Sequence, residues 1–248
     1  MARQPCRHPH FARFWAAVAG PGLDRAGIGP HRARLLAGLS GRVVEIGAGN
    51  GLTFPYYPPE VTRVLAVEPE PRLRALAGER ARRLAREPGG VPAGERAAGV
   101  TGTTVRPAPP EVRVVGGRAE RLPAASGAFD AAVVCLTLCS VADQAAALAE
   151  IRRVLRPGGQ LRFLEHVRAR TPGMRRVQRA VDATFWPLLC GGCHTGRDTR
   201  GAIAAAGFTL VRVEDFAFPD TRVPSPATAH ILGVAERPEQ PVPGAASG

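Results

Sequence analysis

The chain has 248 residues, 45% of them hydrophobic, which is enough for one domain with a sizeable core. Its 33 basic residues are all arginine and outnumber 21 acidic ones, for a formal charge of +12. The arginines are scattered, and with abundant Ala, Gly and Pro they read as the product of a GC-rich coding sequence rather than a nucleic-acid footprint. No run approaches the roughly 18–20 apolar residues of a membrane span, and residues 1–10 lack the apolar core of a signal peptide, so a cytoplasmic protein is expected.

In chain order, residues 1–29 read as an N-terminal arm, amphipathic over 11–23 with Phe14, Trp15 and Val18. A domain spanning 30–236 follows. Residues 42–46 form a short β-branched run, a buried parallel strand, that leads into three glycines. A second apolar run, 61–67, ends at Glu68, and the arginine-rich stretch 72–86 reads as the solvent-facing side of a helix. Residues 87–110, rich in Pro, Gly, Ala and Thr without apolar period, read as a flexible insertion. Strands follow at 113–117, 129–135 and 160–167, with a helix of apolar period over 144–155 that stops before Pro157. Residues 168–179 carry many arginines, with Met174, Val177 and Val181 on the other face. This pattern fits a solvated helix face, a lid or a peripheral contact with acidic lipid. A helix over 198–206 ends at Gly207. Strands at 207–216 and 229–235 close the pattern, and 237–248 form a disordered tail. Alternating strands and helices of this kind demand an α/β fold. The expected fold is a single doubly wound, mostly parallel seven-stranded sheet, with helices on both faces and an antiparallel edge strand.

The glycine turn narrows the ligand. Gly47, Gly49 and Gly51 allow a sharp turn and close approach of backbone to a ligand. Their G-x-G-x-G spacing differs from the G-x-G-x-x-G of dinucleotide folds, and Glu45 would repel a pyrophosphate. A P-loop is excluded because the chain has no lysine. Glu45 suits the cationic amino-acid end of S-adenosylmethionine (SAM), and Glu68 can accept bonds from both hydroxyls of a ribose. In such sheets ligands bind beyond the carboxyl ends of the strands, where residues 47–51, Glu68, Ala119 and Cys135 gather.

The segments Glu45-Ile46-Gly47-Ala48-Gly49-Asn50-Gly51, Arg118-Ala119-Glu120-Arg121-Leu122-Pro123, Phe129-Asp130-Ala131-Ala132-Val133-Val134 and Leu155-Arg156-Pro157-Gly158-Gly159 resemble the motifs of class I SAM-dependent methyltransferases, over roughly residues 30–235. They are closest to the branch that includes the ubiquinone/menaquinone methyltransferases. Phe54-Pro55-Tyr56-Tyr57-Pro58-Pro59, Leu138-Cys139-Ser140-Val141, Leu164-Glu165-His166-Val167 and the later Gly192-Cys193 are similar to the methyltransferase-like thiol S-methyltransferases, whose vertebrate members methylate small alkyl thiols and hydrogen sulfide.

The resemblance implies a SAM site. Glu45, Gly47, Ala48, Gly49 and Gly51 run along the amino-acid end and ribose, and Glu68 holds the ribose hydroxyls. Pro69 and Leu73 lie near the adenine, Ala119 and Glu120 at its edge, and Cys135 and Leu136 form the floor. Many relatives carry aspartate where Arg118 stands, and arginine, a donor only, cannot make that contact. The vertebrate thiol enzymes begin with an apolar membrane anchor, a feature this chain does not show.

Cys190-Gly191-Gly192-Cys193-His194 matches a haem-attachment pattern. Haem would need export, zinc would want four ligands where only one spaced pair exists, and the two glycines more simply make a turn. No metal is expected. Cys135 and Cys139 sit in apolar runs as small hydrophobes. For the chemistry, methyl transfer demands alignment, exclusion of water and, for neutral acceptors, a proton acceptor. His166, His194 and Asp198 are the candidates. The implied partner is a small acceptor, favoured by resemblance to be a thiol. The alternatives are C- or O-methylation of a quinone-like metabolite and a non-catalytic SAM-binding protein. The fourth strand ends Cys135-Leu136-Thr137-Leu138 and lacks the Asn/Asp-Pro-Pro-aromatic signature of many base-amine methyltransferases, which argues against nucleic acid.

Overall fold

Strand β1 (Gly41–Ile46) is the centre of the molecule: Val43, Val44, Glu45 and Ile46 are all buried, as a parallel strand covered on both faces requires. The structure, a computed structural model, describes residues 9–86, 109–220 and 225–239. The expected insertion at 87–110 and the tail fall almost wholly outside the described residues, as does Cys6. Around β1 lie β2 (Val61–Val67), β3 (Glu111–Val115), β4 (Phe129–Cys135), β5 (Leu155–His166), β6 (Thr209–Ala217) and β7 (Ala229–Glu236). They form one sheet in the order β3-β2-β1-β4-β5-β7-β6. The first five strands pair in parallel, and β7 runs antiparallel between β5 and β6. The chain leaves β1 for β2 on one side and returns to β4 on the other. This reversal opens a crevice beyond the ends of β1 and β4, the usual place for a ligand in such sheets.

Two apolar layers follow from the strand alternation. Val44, Ile46, Ala132, Val134 and Phe163 face α5 (Gln144–Val154) and α8 (Thr199–Ala205), which contribute Leu148, Ile151 and Ile203. Val43, Val64, Ala66, Val133 and Leu164 face α3 (Gly29–Leu36) and α4 (Pro71–Arg86), with Leu35, Leu36 and Ala77. The N-terminal arm is helical as α1 (Pro9–Phe14), a π-turn at Trp15–Ala19 and α2 (Gly20–Arg25). Trp15 turns inward, whereas Phe14 and Val18 are exposed.

The helix α6 (Pro172–Asp182) departs from its apolar pattern. Its fully buried residue is Gln178, whose side-chain nitrogen donates to the carbonyls of Val167, Thr195 and Pro226 while its oxygen accepts from Ala169 N–H. Four backbone groups that would otherwise be orphaned outweigh the burial of Val177, which stays exposed. The short helix α7 (Trp186–Leu189) continues this exposed apolar surface. Phe185 is 51% exposed, and Leu188 is 81% exposed. Among the described residues no helix is long and apolar enough to cross a membrane.

Candidate active site

The turn after β1 takes the shape its glycines allow. Gly47, Gly49 and Gly51 have φ of +72°, +57° and +76°, a region costly for residues with a Cβ. A Cβ on Gly47 would fall within 2.6 Å of the Thr137 methyl, and one on Gly51 within 2.7 Å of the Phe54 ring. Gly47 and Ala48 donate to the Val67 carbonyl, which ties the turn to the end of β2. Beside it, Glu68 is buried and accepts from the backbone N–H of Gly49 and of Glu70, both at 2.8 Å. Burial raises its pKa to about 7 despite these two donors. Each carboxylate oxygen keeps a further lone pair for an incoming hydroxyl.

Glu45 is buried deeper. It accepts hydrogen bonds from Thr53 and, at 2.9 Å, from the Tyr57 hydroxyl. Desolvation again dominates and raises its pKa to about 7, partly offset by those donors and by buried Arg32. The same burial pushes Cys135 up to about 12. Asn50, also buried, leaves its side-chain oxygen without a partner, a free acceptor inside the glycine turn. Leu136, directly after β4, has φ +57°, an uncommon conformation for a residue with a branched side chain. Strain of this kind persists where surrounding structure enforces it, and here Leu136 N–H bonds to the Leu164 carbonyl at 2.7 Å. Leu73 and Ala119 are buried, and the Pro69 carbonyl accepts from Arg74. Glu120 accepts from Ala142 and Asp143 N–H and pairs with Arg118, so both ends of that segment are engaged within the protein.

Sequence reasoning missed Glu165. This fully buried side chain accepts from the backbone N–H groups of Thr137, Leu138 and Cys139, at 2.8–3.1 Å. It fixes the loop after β4 from the end of β5, and burial raises its pKa to about 7. An acidic residue at the end of a strand, directly before His166, was the available signal.

The three candidate bases are not gathered at one point. Asp198 is half exposed, caps α8 through Gly201 N–H and forms an ion pair with Arg168 at 2.9 Å. His194 Nδ1 pairs with the Gly192 carbonyl at 2.8 Å, and its N–H bonds to the Cys139 carbonyl. His166, at the end of β5, has Nδ1 3.5 Å from Cys193 Sγ. Cys193 and Cys139 are both buried, and these three side chains place a sulfur, a nitrogen and a sulfur within 4.8 Å of one another. The glycines before Cys193 do make a turn, with φ of +60° and +88° at Gly191 and Gly192. A Cβ on Gly191 would meet Phe11, and one on Gly49 would lie 3.4 Å from Trp15 Nε1, so the arm spans from the cofactor turn to the cysteine turn.

This architecture, with a glycine turn after β1, an acid after β2 and a reversed β7, is that of a SAM-dependent methyltransferase. Residues 44–163 match the model of the methyltransferase domain. Geranyl diphosphate methyltransferase, solved in complex with SAM, superposes with a TM-score of 0.59 over 94% of this chain and 92% of its own, at 16% identity. Closer in sequence is human thiol S-methyltransferase TMT1A, 32% identical over 190 residues, which cover 74% of this chain and 67% of that protein. Human thiol S-methyltransferase TMT1B is 31% identical over 205 residues, covering 81% and 73%. The chain is an enzyme of the SAM-dependent methyltransferase class and belongs to the family of these thiol S-methyltransferases.

Proposed function

We propose that this enzyme transfers the methyl group of SAM to the sulfur of a small apolar thiol. The observation that carries the reading is the cluster of Cys139, His166 and Cys193 beyond the ends of β4 and β5, joined to the glycine turn through Thr137. Thr137 donates to the Ile46 carbonyl at 3.0 Å and fills the space beside Gly47. The similarity to TMT1A and TMT1B supports the same acceptor class.

The residues of the turn fit SAM. Glu68 would receive the ribose hydroxyls, the backbone of 47–51 the amino-acid end, and the free Asn50 oxygen an ammonium donor. Buried Glu45 supplies negative potential beneath that end while its own bonds stay with Thr53 and Tyr57. Leu73, Pro69 and Ala119 serve the adenine, and Cys135 and Leu136 the floor. Bound SAM brings a methyl already activated on a sulfonium. The protein must then align the acceptor and keep water out, and alignment alone is worth roughly 7–11 kcal/mol. A thiol with pKa near ~8.5 is partly ionised at neutral pH and asks little of a base. His166, with Nδ1 3.5 Å from Cys193 Sγ, is the base this reading would use for any proton that must be removed. Asp198 is committed to its helix cap and ion pair.

The test is turnover with a panel of alkyl thiols, hydrosulfide and a demethylated quinol, followed as S-adenosylhomocysteine release. Thiol-dependent release supports the reading, and release with the quinol alone replaces it.

A further inference from the structure

We propose that Cys139, His166 and Cys193 form a binding site for a single thiophilic divalent cation, zinc by preference, with one position left open for the acceptor sulfur. Tetrahedral zinc with a thiolate at 2.3 Å and an imidazole at 2.0–2.1 Å holds those two ligand atoms about 3.6 Å apart. His166 Nδ1 and Cys193 Sγ stand at 3.5 Å, and all three ligand atoms lie within 4.8 Å of one another. Two sulfurs and one imidazole nitrogen are a donor set suited to zinc, and three protein ligands with an open fourth position are the arrangement of catalytic rather than structural sites.

The site is also held in place. Glu165 accepts from the Cys139 N–H at 3.1 Å and from the two residues before it. His194 N–H donates to the Cys139 carbonyl at 2.8 Å, which locks the two cysteine loops together. Gln178 bridges the carbonyls of Val167 and Thr195, each adjacent or nearly so to a ligand. A histidine bound through Nδ1 carries its proton on Nε2 and needs an acceptor for it. Buried His230 stands with its ring 4.5 Å from that of His166. Its Nδ1 is 2.9 Å from the Thr228 carbonyl, so it is the protonated nitrogen, and Nε2 is a lone pair without a partner. Cys190, the other cysteine of the C-x-x-C spacing, is outside this group. The pairing that matters joins positions 139 and 193, which spacing along the chain does not reveal.

The role of the ion, though not the site itself, rests on the thiol-acceptor reading. With His166 engaged as a ligand, the ion rather than this histidine promotes loss of the thiol proton: the acceptor enters as R–SH, gives its proton to water and takes the open position through sulfur. A lone pair of that sulfur forms the new bond to the methyl carbon while the carbon–sulfonium bond breaks, its electrons remaining on the sulfur of S-adenosylhomocysteine. The neutral thioether product is a weaker ligand than a thiolate and leaves.

The experiment uses the full chain, reduced, stripped with chelator and titrated with Co2+ as a spectroscopic probe for zinc. One equivalent should bind, with tetrahedral visible bands and a sulfur-to-cobalt band in the near ultraviolet. Adding an alkyl thiol should intensify the near-ultraviolet band as a third sulfur joins. Cys139→Ser, Cys193→Ser and His166→Gln should each lose the spectrum, while Cys190→Ser keeps it; circular dichroism identifies any variant that fails to fold, and the remaining variants decide. Absence of stoichiometric binding, or equal loss in Cys190→Ser, overturns the site. An unchanged spectrum on adding thiol, or full thiol turnover by metal-free protein, overturns the role. Intact thiol-sensitive bands with no methyl transfer to any thiol would uphold the site and refute the acceptor reading instead.

Discussion

Glu68→Gln should weaken cofactor binding, and its effect can be worked from the geometry. The carboxylate is buried and holds the N–H groups of Gly49 and Glu70 at 2.8 Å, leaving one lone pair on each oxygen for the ribose. Glutamine keeps one acceptor oxygen and turns the other into an NH2 facing the Gly49 or Glu70 N–H, so one charge-assisted hydrogen bond to the ligand is lost together with one internal acceptor. Such a bond contributes roughly 1.5–3 kcal/mol, or about 10- to 150-fold in Kd. A second signature comes from protons. Glu68 has a pKa of about 7 in the ligand-free protein because burial disfavours its charge. Ribose hydroxyls need the ionised form, so ligand binding expels a proton below that pH, and the wild-type Kd should rise about tenfold per pH unit there. Calorimetric titration with S-adenosylhomocysteine between pH 5.5 and 8.5, on wild type and Glu68→Gln, measures both effects. A variant Kd within twofold of wild type at high pH, or the same slope at low pH in both proteins, would refute the assignment.

Glu45, Glu68 and Glu165 all have pKa values raised to about 7 from 4.5. Their folded state holds protons that the unfolded state releases, so the contribution of these groups is fullest below about pH 4.5 and is lost as pH rises through 7, by up to about 3 kcal/mol per group. Urea denaturation of the ligand-free enzyme beside Glu68→Gln across pH 5–8 isolates one such contribution: the stability of wild type relative to the variant should fall as pH rises, and a constant difference would contradict it. Glu165→Ala leaves three backbone N–H groups unpaired and should cost more than the ~1–3 kcal/mol of a single buried orphan, with loss of turnover because the loop at 137–139 is released. Gly47→Ala should destabilise and weaken SAM binding together, since the positive φ and the Thr137 side chain both oppose a Cβ; thermal melts with and without ligand read the two effects. Asp198→Asn should retain turnover and stability, as asparagine caps equally well, whereas Asp198→Ala should lose ~0.5–2 kcal/mol of stability. A large drop in kcat for Asp198→Asn would make Asp198 a base after all.

What could be read from the sequence was whatever the backbone enforces locally. The glycines at 47, 49 and 51 announced a turn because only glycine tolerates those dihedrals beside Thr137 and Phe54. A β-branched run marked β1, and a run uncharged after Asp130 marked β4, because both faces are covered. The position of β7 between β5 and β6 was not legible, since strand order is decided by packing across the sheet and not by local pattern. The face of α6 misled for a different reason: Gln178 bonds to four backbone groups, three of them buried, and periodicity counts only apolar residues. The cysteines misled most. Spacing drew attention to Cys190 and Cys193, while adjacency of β4 and β5 brings Cys139 and His166 to Cys193 from three separate segments.

The central claim is transfer from SAM to sulfur, and it is tested most directly by incubating the reduced enzyme with SAM carrying a trideuterated methyl group and an alkyl thiol, beside the alcohol of the same carbon skeleton. The account predicts a deuterated methyl thioether by mass spectrometry in step with S-adenosylhomocysteine, and no ether from the alcohol. Tight SAM binding with no labelled thioether from any thiol would contradict it.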